Sequence, residues 1–246
     1  MARPTLYDID HSPWSERARW ALDHRGVDYL RKPYAPLVDE LGMRLKLGRP
    51  AVAVSTPVMF VAGGVLKDSF DIALYAERHG HGTALFPVGR MACMRRYNRR
   101  AERLLGPGRM CTVARMLRNP RGLVETLPPE LKRLGPLAVW SGRLGARMLV
   151  AKYGLDNNDE QLLRERIRHE LRLLREDLAA GGGQLCGDTF GYADILMASA
   201  LAFVQPVADR YIRLGVHERP CWQDPVLADE FADVIKWRDG VYAAHR

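Results

Sequence analysis

The order of strand-like and helix-like segments in the first eighty residues constrains this chain most. TLYDI (5–9) is a short apolar strand. A helix is expected from Pro13 to about Arg25, because Trp14, Ala18, Ala21 and Leu22 recur on one helical face and Gly26 follows. VDYLRKPY (27–34) reads as a second strand and LVDELGMRLKL (37–47) as a helix. PVMFV (57–61) and VLK (65–67) are two strands joined at Ala62-Gly63-Gly64, and a helix from Ser69 to His79 ends at Gly80. A β-α-β-α-β-β-α order requires a parallel crossover in its first half and a hairpin in its second. It predicts a four-stranded mixed sheet covered by helices, a thioredoxin-like arrangement.

Strand signals stop after residue 89. The chain is therefore read as an α+β protein of two domains, with 1–80 thioredoxin-like, 81–89 a linker and 90–246 all-helical. GPG (106–108), NPRG (119–122), LPPE (127–130) and LGP (134–136) are expected to break the helices. The clearest helix spans about 159–180, where Leu163, Ile167, Leu171, Leu174 and Leu178 form one apolar stripe, with Asn158 and Gln161 resembling a capping box at its start. YADILMASALAFVQ (192–205) is apolar nearly all round and is expected to be the buried central helix.

Composition narrows the function. No run of 18 or more uncharged apolar residues occurs, so no membrane partner is expected, and the N-terminus lacks a signal-peptide core; the expected location is cytoplasmic. Cys93, Cys111, Cys186 and Cys221 show no CxxC spacing and are expected to be reduced, mostly buried thiols. HGHG (79–82) has no companion ligands, so no metal is expected. The net charge is +8, and 31 of 37 basic residues are arginine. In RERIRHELRLLRE (164–176) arginines interleave with glutamates as on a solvated helix face, whereas MRRYNRRAER (94–103) is less balanced and keeps a nucleic-acid partner open.

Three places could carry chemistry. In DHSPWSERARWAL (10–22), Pro13 fits the first helical position and makes Ser12 the N-cap, where exposed N–H groups and the helix dipole also favour an anion. In STPVMF (55–60), a proline entering the third strand can be cis, leaving the backbone of Val58 to pair with a peptide-like ligand. In KDSF (67–70), Asp68 can take an ammonium, and Ser69 with its helix N-terminus a carboxylate. Each alone is also explained by capping or by a strand start. Together they suit a zwitterionic head, a peptide middle and an anionic sulfur, the shape of glutathione.

SPWSERARWAL, TPV and KDS, at this spacing, resemble the cytosolic glutathione transferase superfamily, in particular its serine-type tau, zeta and related bacterial members. GDTFGYADI (187–195) resembles that family's buried folding motif, with Gly191 in place of the usual capping Ser or Thr. The resemblance implies that glutathione is the cosubstrate and that Ser12 hydrogen-bonds its sulfur, with Ser15 second and Tyr7 a distant third. It places Thr56, Pro57 and Val58 on the cysteinyl backbone and Asp68 and Ser69 at the γ-glutamyl end. Lys46, with Arg44 as its rival, would meet the glycine carboxylate. His11, Trp14, Met110 and Ala114 would line the pocket for a small electrophile, with Met94, Tyr97 and Met116 as further walls and Arg109 and Arg115 as candidates for an acidic substrate. No cysteine stands at 12 or 15, so conjugation, isomerisation or peroxide reduction is expected rather than disulfide reduction. A homodimer is implied. The alternative is a non-catalytic binding or regulatory protein on the same fold, associated with nucleic acid.

Overall fold

The computed structural model describes residues 3–51, 53–133, 135–153 and 160–246. Four strands, β1 (Thr5–Asp8), β2 (Leu30–Pro33), β3 (Val58–Val61) and β4 (Gly64–Leu66), form one sheet in the order β2-β1-β3-β4. β1 pairs parallel with β2, and both the β1–β3 and β3–β4 pairs are antiparallel, as the element order requires. The hairpin turns at Gly63, whose φ of 92° favours glycine. Helices α1 (Pro13–His24), α2 (Pro36–Lys46) and α3 (Ser69–His79) complete the thioredoxin-like part. Leu6 and Met59 of the sheet join Ala18, Leu22, Ile72 and Ala76 of α1 and α3 in the main core.

Nine further helices follow among the described residues: α4 (Met91–Leu117), α5 (Pro120–Glu125), α6 (Pro129–Lys132), α7 (Pro136–Tyr153), α8 (Glu160–Ala180), α9 (Tyr192–Ala200), α10 (Arg219–Trp222), α11 (Pro225–Glu230) and α12 (Ala232–His245). Every residue of α9 is buried, as its all-round apolar sequence predicts. A short 3₁₀ turn, Leu201–Phe203, continues it. Asn158, the expected cap of α8, lies outside the described residues.

Three expectations are corrected. The proline-rich breaks are mostly helix starts. Pro120, Pro129 and Pro136 each open a helix, where a missing N–H leaves nothing unpaired, and the Asn119 side chain caps α5 by accepting from the Gly122 N–H at 3.1 Å. At Pro107 there is no break at all, since α4 runs straight through. The interleaved arginines of α8 do not simply face solvent: Arg168 reaches Glu230, Arg175 reaches Asp233, and Glu170 is buried against Arg100 of α4. That last pair also gives one arginine of 94–103 a structural role. Finally, Cys93 and Cys186 form a disulfide with a Cα–Cα distance of 6.0 Å, tying α4 to the segment before α9, while Cys111 and Cys221 are free and buried. Their spacing of 93 residues hides in sequence a contact that only the helix packing creates.

Candidate functional site

The three sequence segments meet at one end of the sheet. Antiparallel pairing of Tyr7 with Val58 puts the start of β3 beside the end of β1, and the Thr56–Pro57 peptide preceding it is cis. β1 leads within four residues to Ser12, so the cis-proline and the start of α1 are neighbours by register. The third segment is joined to α1 by a buried arginine. Arg17 is 0% exposed, and its Nε donates to the Ser69 hydroxyl at 2.6 Å. Its Nη2 donates to Glu102 of α4, while Nη1 has no hydrogen-bond partner among the described residues. Arginine can only donate, so Ser69 Oγ must accept here, and its own hydrogen is directed elsewhere.

Ser12 caps α1 as expected, its oxygen accepting from the Ser15 N–H at 3.5 Å. That long bond leaves the hydroxyl hydrogen of a half-buried serine available. Ser15 differs: it is 0% exposed, and its oxygen accepts from the Ile9 N–H at 3.2 Å. Tyr7 is half-buried and its hydroxyl lies 3.1 Å from Lys46 Nζ. Asp68 is exposed, capping α3 with a 2.7 Å bond from the Phe70 N–H, and Ser69 is buried directly behind it. Lys46 at the end of α2 is exposed, whereas its rival Arg44 is held by Glu40 at 2.7 Å.

An aromatic series flanks Ser12 on both sides. Trp14 approaches Phe203 with ring centres 6.2 Å apart, Phe203 stacks on Trp222 at 4.7 Å, and Trp222 meets the His11 ring edge-on at 5.4 Å. The Trp14 indole donates to Glu102, and the Arg109 guanidinium lies 4.9 Å over its ring. Phe203 can approach α4 because residue 108 is glycine: a Cβ there would sit 2.6 Å from the Phe203 Cβ. Of these four rings, sequence reading named His11 and Trp14 as candidates and did not name Phe203 or Trp222. No local pattern marks either, because each arrives from a distant turn.

Met110 and Ala114 of α4 are half-buried, on the helix that carries Gly108 and Glu102. Met94, Tyr97 and Met116, also expected as pocket walls, are instead core residues at 0%, 1% and 7% exposure. Arg115 is committed to Asp224 at 2.7 Å and to Glu160. Burial pushes the Cys111 thiol up to about 11 and raises that of Cys221, so neither is a ready nucleophile. No metal-binding cluster occurs among the described residues. A shallow groove along α12, lined by Asp233, Lys236 and Trp237, shares none of the site residues.

A thioredoxin-like sheet with a cis-proline, followed by a helical bundle around a buried α9, defines the glutathione transferase fold. Residues 11–79 match the family described as glutathione S-transferase, N-terminal domain, and the chain as a whole has the fold of the solved glutathione transferases. Among solved structures, a glutathione S-transferase of Methylobacterium radiotolerans, in complex with glutathione sulfonate, superposes with a TM-score of 0.62 at 17% identity, covering 98% of this chain and 91% of its own. A glutathione transferase of Phanerochaete chrysosporium gives 0.60 at 18% identity, covering 100% and 95%. A glutathione S-transferase domain-containing protein of Marinobacter aquaeolei gives 0.59 at 20% identity, covering 97% of each chain. No curated protein sequence matches the chain.

Proposed function

We propose that the protein is a glutathione transferase of the serine type, with residues 1–80 binding glutathione and 90–246 supplying the electrophile site. The observation that carries this reading is the joint placement of a capping but accessible Ser12, the cis Thr56–Pro57 peptide and the Asp68–Ser69 turn, the last tied to α1 by Arg17. Ser12 donates its hydroxyl hydrogen to the glutathione sulfur. This favours the thiolate over the thiol, as does the positive end of α1. Ser15 ranks below it because its oxygen is buried and engaged. The Val58 backbone pairs with the cysteinyl unit, following Thr56 and Pro57. Asp68 accepts the γ-glutamyl ammonium, while the α3 N-terminus takes its carboxylate together with the hydroxyl hydrogen of Ser69, which the Arg17 contact leaves free to donate. Lys46 meets the glycine carboxylate. The electrophile lies against His11 and Trp14, which the buried Phe203 and Trp222 support from behind, with Met110 and Ala114 further along α4. The reactions are conjugation, isomerisation or peroxide reduction of small apolar substrates, in a homodimer.

No helix among the described residues is long and apolar enough to cross a membrane. The expected cytoplasmic location stands against the Cys93–Cys186 bridge, since reducing compartments disfavour disulfides.

Calorimetric titration with S-methylglutathione and turnover of chlorodinitrobenzene test the reading. Ser12→Ala is expected to lower kcat/KM by about 10- to 100-fold, the worth of a hydrogen bond to a charged group. Absence of glutathione binding by the folded protein, or unchanged turnover in the variant, refutes it. One observation favours a second reading, a nucleic-acid-associated binding protein: Arg95, Arg96, Arg99 and Arg103 are exposed along α4. RNA binding with a steep salt dependence and no turnover supports that alternative.

A further inference from the structure

His11 precedes the proposed thiolate-binding serine directly, and its side chain is 30% exposed, so a bound electrophile can reach it. Behind it stands a carboxylate that the reading above leaves without a role. Glu218 is 3% exposed. Its Oε2 accepts from the Gly215 N–H at 3.3 Å, while Oε1 has no hydrogen-bond partner among the described residues and lies 3.8 Å from His11 Nδ1. The turn bearing Glu218 is itself fixed, because Glu125 Oε2 accepts the backbone N–H groups of His217 and Glu218, each at 2.7 Å. A buried carboxylate oxygen facing one imidazole nitrogen is costly unless that nitrogen carries charge or hydrogen towards it. Trp222, edge-on to the ring, limits its rotation from another side. Nδ1 is thus turned to Glu218, and Nε2 is the nitrogen left for a substrate.

We propose that His11 is a catalytic acid and Glu218 its positioning residue, acting where the adduct must be protonated, as in addition to an α,β-unsaturated carbonyl compound. The proposal rests on the glutathione-transferase reading. In the addition, the glutathione sulfur forms a bond to the β-carbon and the carbon–carbon π pair moves into an enolate. His11 Nε2 gives that enolate a proton, and the imidazole is reprotonated by solvent, which has already received the thiol proton. Glu218 Oε1, facing Nδ1, holds the ring so that Nε2 meets the enolate. Substitution on chlorodinitrobenzene needs no such acid, because the displaced pair leaves with chloride.

The difference supplies the test. Steady-state kinetics on benzylideneacetone and on chlorodinitrobenzene are compared for the wild type, His11→Gln and Glu218→Gln. His11→Gln is expected to lower kcat on the enone on the order of 100-fold, the usual contribution of a general acid. On chlorodinitrobenzene, where His11 is a pocket wall but donates no proton, the loss in kcat should be at least about tenfold smaller. Glu218→Gln, nearly isosteric, should lower the enone rate about tenfold and spare the other, which a merely structural carboxylate would not do. Equal losses on both substrates, or no loss on the enone, overturn the proposal. A wild type that turns over chlorodinitrobenzene but not the enone overturns it while leaving the transferase reading intact. A wild type inert to both overturns the two together.

Discussion

Asp194, at the start of α9, offers the sharpest test of the packing. It is 2% exposed, and its Oδ2 accepts from the Gly191 N–H at 2.9 Å. With glycine at the cap, no side chain returns a hydrogen bond, and burial raises the Asp194 carboxyl from 3.8 to about 6 despite its backbone contacts. The folded protein therefore holds this proton more tightly than the unfolded chain does. Stability is lost as pH rises from 3.8 through about 6 and is level above that window. A rise of about two units corresponds to about 3 kcal/mol. Asp194→Asn keeps an acceptor for Gly191 and removes the titration. In urea unfolding followed by tryptophan fluorescence, the variant's stability relative to wild type should climb by about 3 kcal/mol between about pH 4 and pH 7. A difference that stays flat over that range refutes the assignment of the buried charge.

Three other outcomes follow from the geometry. Gly108→Ala places a methyl group 2.6 Å from the Phe203 Cβ, so Phe203 must move; a loss of about 1–3 kcal/mol in chemical unfolding is expected, with altered KM for apolar electrophiles. Arg17→Met frees Ser69 and should raise the KM for glutathione about tenfold with less effect on kcat, and Arg17→Lys, with no fork to span Ser69 and Glu102, should not restore it. Replacing Cys93 and Cys186 together by serine opens a loop whose ends are 93 residues apart and should lower unfolding stability by up to about 4 kcal/mol.

The thioredoxin-like part was legible because its information is local. Alternating strand and helix patterns, Gly63 in the hairpin and prolines at helix starts each act over a few residues. The places of Ser12, Pro57 and Asp68 at element boundaries were legible for the same reason, whatever they bind. What escaped depends on distant packing. Phe203 and Trp222 join the site only through the fold, and Pro107 is tolerated inside a helix otherwise read as broken. The role of Arg17 also lay hidden, since a charged residue on a helix reads as surface until Ser69 and Glu102 are brought to it.

The Cys93–Cys186 bridge has a consequence for how such a protein is handled. Its proposed cosubstrate is a thiol, so a standard assay exposes the disulfide between α4 and the segment before α9, one of whose cysteines is half-buried, to exchange with the reagent being measured. Time-dependent drift in rate then reports the clamp as well as the chemistry. A variant with both Cys93 and Cys186 replaced by serine has no bridge to exchange, and comparing its time course with the wild type separates the two.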